Sequence, residues 1–139
     1  MPICLKALRI KRRVKNKQKG GKSDIGFSLN KMTVKELAER LSLKILTAPD
    51  DTREVCGCYA GDLLSWVMGR AQADDVWVTI MTNVNVVAVA MLADVSCVVI
   101  AENAEIEKDV IEKAREKGIN LYMSDKTIYQ LCAEISNLI

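Results

Sequence analysis

The sequence predicts an α/β fold, a three-layer α/β/α sandwich with a mostly parallel sheet of about five strands. Three observations carry this. Short β-branched runs alternate with helix-period segments over about ninety residues, the pattern of βαβ units. The uncharged run "VWVTIMTNVNVVAVAMLA" (residues 76–93) breaks at residue 82 into a strand and a helix, each too short to cross a bilayer. An uncharged strand beside an all-round apolar helix suits a parallel sheet covered on both faces. Finally, 139 residues, half of them hydrophobic, are enough for one domain with a real core, and the scarcity of aromatics leaves Val, Ile, Leu, Ala and Met to fill it.

The elements follow in order. Val34, Leu37, Ala38 and Leu41 fall at helical spacing, and Thr33 with Glu36 forms a capping box before them. "LKILTA" (43–48) reads as a strand that Pro49 and Asp50 end. Residues 55–59 read as a second short strand. Gly61 turns the chain, and Asp62 is the expected cap of a helix with Leu63, Leu64, Val67, Met68 and Ala71 on its apolar face. "VWVTI" (76–80) is the third strand, Thr82 and Asn83 are cap residues, and 84–93 is a helix. Residues 96–101 are the fourth strand. Ile106, Val110, Ile111 and Ala114 mark a helix stopped at Lys117 and Gly118. Residues 119–123 form the last strand. Ser124 and Asp125 are expected to open a final helix with Ile128, Leu131, Cys132 and Ile135 on one stripe.

Charge divides the chain. Residues 1–31 hold ten Lys or Arg and one acid, a net of +9, whereas residues 32–139 hold ten basic and seventeen acidic residues, a net of −7. The first 31 residues therefore read as a basic flexible arm, or as an over-extended start, since Met32 opens the globular pattern at once; residues 32–139 are the domain. Nucleic acid is expected only through the arm. The arm lacks the order of a secretory signal. No membrane association is expected, the expected location is cytoplasmic, and the five cysteines are expected to stay reduced.

Catalytic chemistry is hard to find. There is no histidine and no Gly-rich phosphate loop. Cys56 and Cys58 supply half a tetrahedral metal site, so no metal and no cofactor is expected, and the thiols are read as inert. What remains is a set of polar turns at the carboxyl ends of strands, where open parallel sheets bind ligands and helix amino ends favour anions. The candidates are Ala60, Gly61 and Asp62, then Thr82, Asn83 and Asn85, then Glu102 and Asn103, then Thr127. The plainer alternative is that they cap helices and line solvated loops. Trp66 and Trp77 read as core or dimer contacts, each in an apolar stretch without basic neighbours.

The segments "GCYAGDLLSWVMGRA", "DVWVTIMTNVNVVAVAMLADVSCVVIAE" and "IEKAREKGINLYMSD" resemble the DRTGG-domain proteins, in particular small stand-alone members from anaerobic bacteria, over about residues 33–139. Where that family carries Asp-Arg-Thr, this chain has Thr82, Asn83 and Val84; where it carries Thr-Gly-Gly, Ala101, Glu102 and Asn103; and Lys126 and Thr127 stand for its later Asp-Thr. The domain is similar to the N-terminal domain of HPr kinase and accompanies nucleotide-sensing and phosphotransacetylase modules. The resemblance implies a non-enzymatic regulatory or ligand-sensing domain that binds a small anionic ligand such as a nucleotide. It also implies a homodimer with a redox- or hydrogenase-related protein partner. The alternatives are a protein-interaction module without a ligand and a small enzyme using Asp62.

Overall fold

The computed structural model describes residues 31–139, so the basic segment lies, Lys31 apart, outside the described residues. Five helices and five strands are present among them: α1 (Val34–Arg40), β1 (Lys44–Thr47), β2 (Gly57–Ala60), α2 (Leu64–Arg70), β3 (Asp75–Thr79), α3 (Asn85–Ala93), β4 (Cys97–Ile100), α4 (Lys108–Glu116), β5 (Leu121–Met123) and α5 (Ile128–Ser136). The strands form one sheet in the order β1-β5-β4-β3-β2. Pairing is parallel from β2 to β5, and β1 lies antiparallel on the outer side of β5. This is the three-layer α/β architecture with a mostly parallel sheet.

Side-chain alternation along the strands divides the core into two. Val76, Val78, Cys97, Val99 and Tyr122 pack beneath α1 and α5. Trp77, Val98, Ile100 and Leu121 pack beneath α2, α3 and α4. β3 and β4 are buried along their whole length, as an uncharged β-branched strand between two helical layers must be. No helix among the described residues is long and apolar enough to cross a membrane.

Local chemistry sets several boundaries. The Thr33 hydroxyl accepts from the Glu36 N–H at 3.2 Å while the Glu36 carboxylate accepts from the Thr33 N–H at 3.0 Å, completing the capping box of α1. α4 ends at Gly118, whose φ of +72° is the left-handed turn that stops a helix without a Cβ penalty.

Three expected boundaries are corrected. The last helix is opened by Thr127, whose hydroxyl accepts from the Gln130 N–H at 3.2 Å in a second capping box; Ser124 and Asp125 stand before it. α2 begins at Leu64 with Leu63 in the cap position and no side-chain cap bond, so Asp62 is not its cap. α3 likewise starts one residue later than the apolar run suggests, with Val84 in the cap position. Its polar lead-in is the Asn83 carboxamide, which accepts from the Asn85 N–H at 3.0 Å.

β2 and β3 meet at a tight point. Cys56, just before β2, bonds the Asp74 carbonyl through its N–H, and a Cβ on Gly57 would lie 2.5 Å from Asp75 Oδ1. Asp75 is buried and accepts from the Gln72 N–H at 2.8 Å. Burial pushes its carboxyl above the usual range; the Gln72 bond pulls it back in part and the charge of Asp74 adds to the rise. An acid whose folded value is raised contributes stability at low pH that is lost as pH rises through that value. Asp75→Asn should therefore stabilise the fold at pH 7 by up to about 1 kcal/mol, with the advantage vanishing near pH 3 in urea melts. A variant less stable than wild type at neutral pH would show that the bond to Gln72 outweighs burial.

Candidate functional site at the carboxyl ends of the strands

The parallel register sets Ala60 level with Val78, and Thr79, Ile100 and Met123 level with one another. All the turns named from sequence therefore leave the same edge of the sheet. They fall into two groups, because the helices after β2, β3 and β4 cover one face while α5, after β5, covers the other.

The first group lies at the β2 and β3 ends. The Asp62 carboxylate accepts through Oδ1 from the buried Thr79 hydroxyl at 2.8 Å and from the Ile80 N–H at 3.0 Å. Thr79 Oγ1 accepts in turn from the Met81 N–H at 3.1 Å. The Trp77 indole donates to the Gly61 carbonyl at 2.9 Å, and the Gly61 N–H donates to the Val78 carbonyl at 3.2 Å. Ala60, Gly61 and Asp62 are thus clamped to the end of β3. Asp62 Oδ2 makes no hydrogen bond among the described residues. Thr82, Asn83 and Asn85 follow at the amino end of α3. Asn83 is engaged in its own turn, whereas the Thr82 hydroxyl and the Asn85 carboxamide have no side-chain partner among the described residues. Asn85 is exposed, which explains a polar residue in an otherwise apolar helix: it sits on the outer side of the first turn.

The second group lies at β4 and β5. Adjacent strands whose following helices take opposite faces leave a crevice at their carboxyl ends, the usual ligand cleft of open α/β sheets. Here that crevice is stitched. The Glu102 N–H donates to the Lys126 carbonyl at 3.0 Å and the Asn103 N–H to the Ser124 carbonyl at 2.9 Å. Both residues hold left-handed conformations, with φ of 58° and 50°, which non-glycine residues adopt at a cost. Their N–H groups are consumed, and Thr127 is consumed as a cap. Of the sequence candidates, the structure brings Ala60, Gly61 and Asp62 together with the β3 end that leads into Thr82, Asn83 and Asn85. Glu102, Asn103 and Thr127 instead belong to a closed loop pair.

Sequence reasoning passed over Thr79, the residue that joins the first group. Its only signal was a hydroxyl at the end of an apolar strand. The ionisable side chains along the edge are Asp62, Glu102 and Asp125, with Lys126 held by Glu134 at 2.7 Å. The N–H groups of Asn85, Val86 and Val87 are bonded to Asn83 and Val84, so an anion at this edge would be held by the α3 dipole and the polar side chains before it rather than by a cation.

Cys97 is buried, and desolvation, foremost, with the neighbouring Cys132 thiol adding, holds the Cys58 thiol far above its ordinary value. No group of three or more potential metal ligands occurs among the described residues. Trp77 is fully buried, as expected. Trp66 is not a core residue: it is exposed, and the Arg70 guanidinium stacks on its ring at 3.8 Å, one helical turn on.

The fold defines a class, an α/β/α domain wound in one direction with an antiparallel edge strand. Within it, the chain is similar to the crystal structure of the CBS and DRTGG domains of the regulatory region of Clostridium perfringens pyrophosphatase, solved with its activator diadenosine tetraphosphate. The TM-score is 0.58 at 11% identity, covering 88% of this chain and 54% of that chain. The chain thus spans about half the length of that structure. No family model matches the chain, and no curated protein matches it.

Proposed function

We propose that residues 32–139 form a non-catalytic regulatory domain that senses a small anionic ligand, a nucleotide, at the amino end of α3. The observation that carries this is the Thr82 hydroxyl and the Asn85 carboxamide, neither with a side-chain partner among the described residues, at the amino end of a nine-residue helix. The similar pyrophosphatase region binds diadenosine tetraphosphate, which makes a nucleotide the first ligand to try. Asp62 Oδ1 already accepts two hydrogen bonds and holds the end of β3, so a positioning role suits it better than general-base chemistry.

Thermal-shift titration with mono-, di- and dinucleoside phosphates, with and without Mg²⁺, tests the reading. A ligand at 100 times its dissociation constant adds about 2.7 kcal/mol, a rise on the order of 10 °C for a domain this size. Asn85→Val should reduce that rise while leaving the free protein as stable as wild type. Absence of a shift with every nucleotide at millimolar concentration would remove the proposal.

A second reading, a protein-interaction surface that makes the domain a homodimer, is favoured by one observation. Leu63, Trp66, Val84, Met91 and Leu92 are each about half or more exposed across the adjacent helices α2 and α3. Such an apolar face, with the Arg70 guanidinium stacked on Trp66 within it, marks an interaction site. Sedimentation velocity should show a dimer that Leu92→Glu converts to monomer without loss of folded stability; a wild-type monomer at 100 times the usual assay concentration, roughly 100 μM, would argue against it.

A further inference from the structure

On the opposite face of the sheet, between α1 and the edge strand β1, lies a cavity of about 310 Å³, at the small end of the range for ligand sites. Its apolar wall is Ala38, Leu43 and Ile45, and its polar groups include Glu39, Asp51 and Tyr122. Tyr122 sits on β5 opposite Ile45 and is 1% exposed. Its hydroxyl has no hydrogen-bond partner among the described residues. The hydroxyl is not sealed off: it keeps some exposure of its own, and the space it meets is the cavity that Tyr122 lines. Burial, foremost, pushes the phenol up to about 12, with the charges of Cys97 and Asp51 adding, so the hydroxyl stays neutral.

The charge of the lining identifies what fits. Among the described residues, Glu39 and Asp51 face a single cation, Lys35, and none of the three makes an ion pair there. Two carboxylates against one ammonium leave a net negative cavity, which attracts a cation and repels an anion. Main-chain geometry holds the arrangement open: the Lys35 N–H donates to the Asp51 carbonyl at 2.8 Å, fixing the start of α1 against the loop after β1.

We propose that this cavity binds a small organic amine, its ammonium held by Asp51, Glu39 and the Tyr122 hydroxyl and its apolar body laid against Ala38, Leu43 and Ile45. This site is separate from the strand-end edge, so failure of nucleotide binding leaves it untouched.

The test is an NMR titration of the full chain with phenethylamine, set against phenethyl alcohol and 3-phenylpropionate, which share its body but are neutral and anionic. The amine should bind with a dissociation constant of about 1 mM, shifting resonances of α1, β1 and Tyr122; the alcohol should bind at least about tenfold more weakly, and the acid more weakly still. Glu39→Gln, an exposed change that leaves the fold intact, should weaken the amine at least about threefold, and Asp51→Asn more. Tyr122→Phe should leave the free protein about as stable as wild type while lowering amine affinity, because the hydroxyl it removes has no hydrogen-bond partner among the described residues. Equal affinity for the three probes, or shifts confined to other elements, would overturn the proposal. So would a Tyr122→Phe variant clearly less stable than wild type, since its hydroxyl would then already be engaged within the fold.

Discussion

Arg53→Ala should lower the stability of the domain by about 2–3 kcal/mol, measured by urea unfolding at pH 7. Arg53 lies in the connection between β1 and β2, and its guanidinium Nη2 meets three acceptors: Asp74 Oδ1 at 2.7 Å, Asp94 Oδ1 at 3.1 Å and the Asp94 carbonyl at 2.9 Å. The Asp74 side chain is 3% exposed, and both Asp74 and Asp94 are held in left-handed conformations, with φ of 67° and 56°. Partial burial alone would lower the guanidinium value, but the bond to Asp74 and the charges of Asp94 and Asp74 raise it on balance. Removing the arginine takes the cation from a buried carboxylate and loosens the two loops that meet on it. Breaking one side of a fully buried ion pair costs about 3–5 kcal/mol; the arginine is partly exposed, which reduces the figure here. Arg53→Lys should recover part of the loss, since one nitrogen, Nη2, makes all three bonds and an ammonium with three donors can take its place where the shorter stem reaches. Arg53→Ala combined with Asp74→Ala should be more stable than Arg53→Ala alone. A loss under about 0.5 kcal/mol for Arg53→Ala would mean that the cluster is solvated surface.

Asp62→Ala should cost about 2 kcal/mol, because hydrogen bonds to a charged group each contribute about 1.5–3 kcal/mol and the substitution leaves the buried Thr79 hydroxyl without its acceptor. A simple helix cap gives a loss of similar size, so magnitude does not separate the two roles. Coupling does. If Asp62 ties the α2 turn to β3, Asp62→Ala and Thr79→Val should be non-additive by about 1 kcal/mol in a double-mutant cycle; a cap predicts independence. Asp62→Asn should recover most of the loss, because the carboxamide oxygen can accept both bonds. In the same variants, nucleotide binding should fall with Asp62→Ala and be largely restored by Asp62→Asn, as positioning of the β3 end requires.

The apolar run over β3 and α3 shows where pattern reading succeeded and where it fell short. Its division at residue 82 was legible because a β-branched strand and a helix differ in local backbone preference. Its burial was legible only in part. Val86, Val87, Val89 and Ala90 are buried, whereas Met91 and Leu92, as apolar as the rest, are not. Nothing in a uniformly apolar helix says which side faces the sheet, because the hydrophobic contrast that reports orientation is missing.

The candidate edge was legible for a different reason. Strand–turn–helix order alone puts Asp62 and Thr82 at the same end of a parallel sheet. What each polar group bonds to was not legible, because hydrogen-bond partners are chosen by distance in space. The Asn120 carboxamide illustrates it: Nδ2 donates to the Asp50 carbonyl at 2.6 Å and the Ser96 carbonyl at 2.9 Å, joining segments 70 and 24 residues away.

By itself, then, the sequence determined the order and kind of the elements, the capping box at Thr33 and the stop at Gly118, since these depend on interactions among residues a few positions apart. The tertiary structure alone decided four things: the antiparallel seat of β1 beside β5, the turning of Asp62 from its expected cap to Thr79, the closure of the β4–β5 crevice through Glu102 and Asn103, and the cavity beside Tyr122. Each depends on groups distant in the chain being brought within bonding distance. Local preference carries no information about that; only the packing of the completed sheet and its two helical layers does.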